Sequence, residues 1–151
     1  AGLLDIKVGG PSIKPPQPDG VSSLGYSSGT KWQVSPGTER YRRGVYIHYQ
    51  RTTPYPLLSN FDAPRSTTAS CRRTRSNTPL QALNLLNDPV FLEAAERLGQ
   101  RAKTIDEAFE LALQRLPTAA ERTRLERFLT ENNTTLMASI LLNLDEFITR
   151  E

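Results

Sequence analysis

The chain is poor in the residues that chemistry most often uses. Its 151 residues hold one cysteine (Cys71), one histidine (His48), one tryptophan (Trp32) and one methionine. A single cysteine excludes an internal disulfide scaffold and any metal cluster that needs several thiolates. A single histidine excludes a multi-histidine metal site. No serine or cysteine motif adjoins His48 to make it a catalytic base, so a structural or surface histidine is expected. Long apolar runs are missing too. Nothing approaches the ~20 residues of a membrane-spanning helix, and the opening A-G-L-L-D-I-K-V-G-G has neither the basic nor the long apolar region of a signal peptide. The chain is thus expected to be cytosolic or to have its targeting segment elsewhere.

What is present is a soluble, globular balance, 37% hydrophobic and 23% charged, in a length that fits one ordinary domain. The net charge of +3 conceals an asymmetry. Residues 1–78 carry 11 Lys and Arg against 4 Asp and Glu, whereas residues 79–151 carry 8 against 12. Opposite signs within one unit point to halves that attract each other rather than to an external polyion, so nucleic acid is not expected as a partner.

The first half reads as extended. Gly9-Gly10-Pro11 and the P-P-Q-P of Pro15 to Pro18 forbid regular helix, and residues 5–20 are expected to form an arm laid on the body and anchored by Ile6, Val8 and Ile13. In the Ser- and Gly-rich loop that follows, Tyr26 and Trp32 are expected to plug into the core, with a stacking platform as the alternative and a short strand possible at residues 31–34. The best strand candidate is residues 40–53. Alternation there would place Val45, Ile47 and Tyr49 on one face and Tyr46, His48 and Gln50 on the other. Pro54, Pro56 and Pro64 predict a non-helical path over residues 54–70, in which Leu57, Leu58 and Phe61 supply burial.

Charge gathers in C-R-R-T-R-S-N-T-P-L-Q-A-L-N-L-L-N-D-P, Cys71 to Pro89. Arg72, Arg73, Arg75, Asn77 and Thr78 are the candidate anion or partner site, because guanidinium groups would stand beside a helix N-terminus. The same arginines could instead close internal pairs, with Asp62 as the natural partner because it is the one acid between Glu39 and Asp88. Cys71 is expected to be a small buried side chain; the alternatives are a thiolate activated by the arginines or a disulfide to a cysteine outside this chain.

The second half predicts about five helices. Thr78, Pro79 and Gln81 start one over residues 79–86, with Leu80, Leu83 and Leu86 as its apolar face. Asp88-Pro89 starts a second, running to about Lys103. Thr104 with Glu107 and Thr118 with Glu121 are capping boxes for the next two, the first running to Pro117. Asn132-Asn133 precedes a last helix whose apolar face is Leu136, Ile140, Leu141, Leu144, Phe147 and Ile148. The expected fold is mainly α: a loop-rich, extended half (1–78) with one or two short strands, packed on a helical body (79–151), together forming one domain.

Six pieces carry a resemblance: G-G-P-S-I-K-P-P-Q-P, Y-R-R-G-V-Y, T-x-P-Y-P, F-D-A-P, the Cys71–Pro89 stretch and the closing L-L-N-L-D-E-F-I-T-R-E. In this order they resemble a planctomycete and verrucomicrobial cytochrome-associated domain of unknown function, of which this chain looks like the C-terminal portion. The resemblance implies a periplasmic or extracellular setting, upstream domains or subunits as partners, and haem c in one of those domains. No Cys-x-x-Cys-His motif exists in this sequence, so no cofactor is expected in this segment. Where the family has an aromatic in the Y-x-x-x-x-Y run, this chain has His48. The family's genomic company implies extracellular polysaccharide. Two functions are therefore expected as alternatives: a non-catalytic structural or binding module, which could bind carbohydrate, or a segment completing an active site shared with upstream domains, lined by Asp62, Arg73, Arg75 and Tyr46.

Overall fold

The computed structural model describes residues 1–21, 31–64, 69–72 and 76–149. It is mainly helical, with seven α-helices among the described residues: α1 (Pro56–Asn60), α2 (Pro79–Asn87), α3 (Pro89–Arg101), α4 (Ile105–Leu113), α5 (Ala119–Leu129), α6 (Thr134–Leu142) and α7 (Asp145–Ile148). The chain forms two compact units, Leu3–Gln81 and Ala82–Glu151 together with Ala1–Gly2.

Helix starts follow local chemistry. Thr78 and Gln81 satisfy each other at the head of α2: the Thr78 amide donates to Gln81 Oε1 at 3.0 Å and the Gln81 amide donates to Thr78 Oγ1 at 3.3 Å. Asp88 caps α3 by accepting from the Val90 amide, with Pro89 at the first helical position. Thr118 and Glu121 form the full reciprocal box of α5. At α4 the box is split: Thr104 accepts from the Glu107 amide, but the Glu107 carboxylate reaches the amide of Lys103. Asn133 caps α6 through the Leu136 amide.

The helical unit has two linked apolar clusters. Ala102, Ala108, Phe109, Leu125, Met137 and Leu141 make one; Ala95, Leu98, Ala138 and Leu142 make the other. Each fully buried Leu or Phe contributes roughly 1.5–3 kcal/mol. Helices α3 and α6 share the closest packing, set by Gly99. A Cβ there would lie 2.8 Å from the carbonyl carbon and oxygen of Thr134 and 2.9 Å from the Thr135 amide nitrogen. The end of α4, the start of α5 and α7 are tied by Arg115. Its guanidinium makes a two-pronged contact with Glu121 (2.7 and 3.0 Å), another with Glu146 (2.7 and 2.8 Å), and lies over the Phe109 ring.

Several helix expectations are corrected. α4 stops at Leu113, not at Pro117, because Gln114 takes a left-handed conformation (φ 58°) and its amide closes the last turn onto Glu110 and Phe109. Leu116 is consequently exposed. The last helix is two, α6 and α7, because the Asn143 side chain and amide both bond the Ser139 carbonyl and end the first. α6 buries Met137, Ala138, Leu141 and Leu142, leaving Leu136 and Ile140 exposed, and Phe147 of α7 is exposed as well. In T-T-L-M-A-S-I-L-L nearly every turn offers an apolar residue to either side, so periodicity alone does not fix the inward face. α2 departs furthest: Leu80, Leu83 and Leu86 are 59%, 57% and 53% exposed, while Gln81 and Leu85 are buried.

In the unit Leu3–Gln81 the arm is extended as expected. The strand expected over residues 40–53 is not formed. Gly37–Tyr41 and Gly44–Tyr46 are 3-10 turns, and pairing among the described residues is two isolated parallel bridges, Asp5 with Arg42 and Ile13 with Ile47. The partner segment explains this, since its prolines and glycines cannot sustain a ladder of donors. Residues 31–34 likewise form no strand; the Ser35 amide donates to the Lys14 carbonyl and its hydroxyl accepts from the Lys14 amide. Ile13 is a buried anchor, but Ile6 and Val8 are exposed. Residues 54–70 are also not wholly non-helical. Pro56 opens α1, its missing amide being one a first turn does not use.

Candidate functional site

The candidate residues lie in the unit Leu3–Gln81, and the structure groups the described ones into three constellations. The first centres on Asp62. Phe61 caps the end of α1, and Asp62 follows in the left-handed region (φ 56°), which a short acidic side chain tolerates. That turn carries its carboxylate to Ser76. Oδ2 accepts from the Ser76 amide at 2.8 Å and from the Ser76 hydroxyl at 2.6 Å. The Ser76 hydroxyl accepts in turn from Gln81 Nε2 at 3.1 Å, and the same amide group donates to the Asn60 carbonyl at 2.8 Å. Gln81 is 1% exposed and uses both ends of its side chain. With its proton turned to a carboxylate and a lone pair taken by an amide, the serine oxygen serves as a relay in a scaffold.

The second constellation is Arg42 with Tyr46. The buried Arg42 guanidinium donates to the carbonyls of Lys7, Gly9 and Pro11 and stacks 3.7 Å over the Tyr46 ring. The Tyr46 hydroxyl accepts from the Gly9 amide at 2.9 Å. Tyr46 is therefore placed against the arm.

The third is aromatic. Trp32 Nε1 donates to the Pro15 carbonyl and the Tyr55 hydroxyl donates to that of Pro16, each at 2.7 Å. The Trp32 and Tyr55 rings are parallel with centroids 5.7 Å apart, and His48 stands tilted 6.4 Å from Trp32. Trp32 and His48 thus belong to the packing of the arm. Tyr26 lies outside the described residues.

The basic stretch is described in part. Cys71 is exposed, not buried, in a segment, residues 69–72, that is exposed throughout. Arg72 and Asn77 are exposed, and Thr78 is half-buried at the cap of α2. Arg73 and Arg75 lie outside the described residues, as does the pairing of either with Asp62. Sequence reasoning missed Arg42, Ser76 and the depth of Gln81. For Arg42 the available signal was the arm itself, whose carbonyls have no ladder and need donors from elsewhere.

In the helical unit the titratable groups with displaced equilibria are structural. Hydrogen bonds from Arg115 and the Thr118 amide hold the Glu121 carboxyl down to about 2, and Arg115 lowers Glu146 and is itself raised by Glu121 and Glu146. Burial pushes Asp88 up, against the hydrogen bonds from Val90 and Asn84. A shallow, open depression is lined by Leu92, Glu93, Glu96, Arg97, Gln100 and Thr135. Among the described residues no group of three or more His, Cys, Asp and Glu is placed to hold a metal ion. No helix among them is long and apolar enough to cross a membrane.

No curated protein and no solved structure matches the chain. Residues 1–129 match the family described as Protein of unknown function (DUF1553), PSD1, and with that share of its length matched the chain belongs to this family.

Proposed function

We propose that the chain is a non-catalytic structural and binding module of an exported multidomain protein, working in the periplasm or outside the cell beside upstream domains, one of which carries haem c. Its partners are those domains or subunits, and its ligand class is carbohydrate. The observation that supports a scaffolding role is the use of the polar side chains in the unit Leu3–Gln81. Asp62, Ser76 and Gln81 bond one another and the backbone, Arg42 and Tyr46 bond the arm, and Trp32 and Tyr55 hold its prolines. Polar groups committed in this way rigidify a surface more readily than they turn over a substrate.

A second reading rests on the 2.6 Å contact between Asp62 and the Ser76 hydroxyl: the segment would complete an active site shared with upstream domains and acting on polysaccharide, with Arg73, Arg75 and Tyr46 as further lining. Alanine substitution of Asp62, Arg73, Arg75 and Tyr46 in the full-length protein separates the two. The module reading expects lowered melting temperatures with unchanged turnover; turnover lost at an unchanged melting temperature would refute it. Mass and visible absorbance of the native protein test the haem-bearing context.

A further inference from the structure

We infer that Trp32 and Tyr55 form a seat for polyproline II segments, filled here by the chain's own arm and open to exchange with a proline-rich segment of a partner protein. The occupant shows what the seat reads. In K-P-P-Q-P, Lys14, Pro15 and Gln17 each precede a proline, which biases them to extended geometry, and the prolines fix their own φ. Residues 15–18 are thus committed to a polyproline II path before they meet anything. Pro15, Pro16 and Pro18 have no amide hydrogen to donate, so recognition falls to their carbonyls.

The seat answers that need. Trp32 Nε1 and the Tyr55 hydroxyl donate to two consecutive carbonyls, those of Pro15 and Pro16, each at 2.7 Å. With three residues per turn, consecutive carbonyls point about 120° apart, so the two bonds fix the rotation of the segment as well as its position. The donors sit on parallel rings with centroids 5.7 Å apart, an aromatic pair of the kind that proline-rich ligands dock against. This selects the ligand class. A helix or a paired strand has spent its carbonyls on its own ladder and would leave both donors unmet, whereas a polyproline II segment makes no internal hydrogen bonds and keeps its carbonyls free.

The arm is also held twice, and the two holds are separate. Upstream, Arg42 grips the carbonyls of Lys7, Gly9 and Pro11, and Ile13 is buried. Downstream, residues 16–18 and Trp32 are only half-buried, and Asp19 and Gly20 are exposed. The segment can therefore leave the seat from its Pro18 end while the upstream hold stays. Being tethered, it competes with any incoming segment at an effective concentration of about millimolar or more.

Saturation-transfer NMR of an end-capped P-P-Q-P peptide with the whole chain tests this, and Trp32, the only tryptophan, reports on the seat by its fluorescence. Pro15→Gly with Pro16→Gly loosens the resident segment; Pro16→Gly alone serves if the double change diminishes the far-UV circular dichroism spectrum. In the loosened chain Trp32 emission is expected to move to longer wavelength. The peptide is expected to bind it with a dissociation constant on the order of 1 mM and to move the emission back. Wild type is expected to need severalfold more peptide, because its own segment competes. Tyr55→Phe in the loosened background is expected to weaken binding roughly 3–10-fold through loss of one hydrogen bond, and an end-capped G-G-Q-G peptide is expected not to bind. No saturable binding to the loosened chain, equally tight binding to wild type, equal binding of the glycine peptide, or an unmoved Trp32 emission would each overturn the inference.

Discussion

Replacing Gly99 by alanine sets two effects of opposite sign against each other, and the geometry decides between them. Alanine in a helix interior is favoured over glycine by about 1 kcal/mol, so α3 alone would gain. The new methyl carbon, however, would stand 2.8 Å from two backbone atoms of Thr134 and 2.9 Å from a third atom, the Thr135 nitrogen. Carbon atoms in contact prefer about 3.5–4.0 Å, so α3 and α6 must separate locally by most of an ångström. The neighbouring atoms are backbone and cannot rotate aside, and they belong to the first turn of α6, which Asn133 holds through the Leu136 amide. Separation loosens Ala95, Leu98, Ala138 and Leu142, packed in one cluster. A gap of 0.5–1 Å forfeits a quarter to a half of each dispersion contact, and overpacking of this kind costs about 1–3 kcal/mol. Contacts this short against backbone belong in the upper half of that range, so after the helix gain a net loss of about 1–2 kcal/mol remains, a fall in melting temperature of roughly 2–8 °C for a chain of this size. Thermal melts followed at 222 nm measure it. Gly44→Ala is the control, since a Cβ there meets only Leu58 Cδ2 at an ordinary 3.5 Å. A Gly99→Ala protein as stable as the wild type, or more so, would refute the close approach of α3 and α6.

Two other perturbations probe the polar scaffold. Gln81→Leu leaves the Thr78 amide and the Asn60 carbonyl without the Gln81 side chain, and a loss of about 2–4 kcal/mol in urea unfolding is expected; a loss under 1 kcal/mol would contradict the bonds described. Glu121 titrates at an ordinary 4.5 when unfolded and at about 2 when folded. Its contribution is therefore full above pH 4.5 and is lost as pH falls towards 2. Because the side chain is a third exposed, solvent screening trims this to about 1 kcal/mol. The melting-temperature gap between wild type and Glu121→Gln should be roughly 2–4 °C at neutral pH and shrink as pH falls from 4.5 towards 2; a gap independent of pH would rule the titration out. Asp88, raised by burial, acts in the opposite sense and favours the folded state as pH falls, in both proteins alike.

Helix starts were legible because a cap is a bargain among neighbours. Thr78 with Gln81, Asp88 with Pro89 and Thr118 with Glu121 are all within three residues of each other, and each does what its spacing implies. Where helices stop was less so. Gln114 ends α4 in a left-handed conformation that a glycine would have advertised, and Asn143 ends α6 by turning its side chain back to the Ser139 carbonyl. Which face turns inward was least legible of all. The leucines of α2 outweigh Gln81 on any scale of hydrophobicity, yet Gln81 goes inside because its side chain satisfies three groups within 21 residues of sequence. Arg42 escaped notice for the related reason that its acceptors lie 31 to 35 residues away, in a segment with no pattern of its own. Asp62 was expected to pair with an arginine of the basic stretch, and its pairing with Arg73 or Arg75 lies outside the described residues; that Ser76 supplies two of its bonds had no local signature.

The way the arm is held has a consequence for how its sequence can change. Arg42, Trp32 and Tyr55 all grip main-chain carbonyls, those of Lys7, Gly9, Pro11, Pro15 and Pro16. A carbonyl is the same whatever side chain follows it. The arm is thus read as a shape, and most of its residues are free to drift so long as its glycines and prolines keep the path. The constraint is carried by the readers, so a single change at Arg42 or Trp32 removes what many changes along the arm would leave in place.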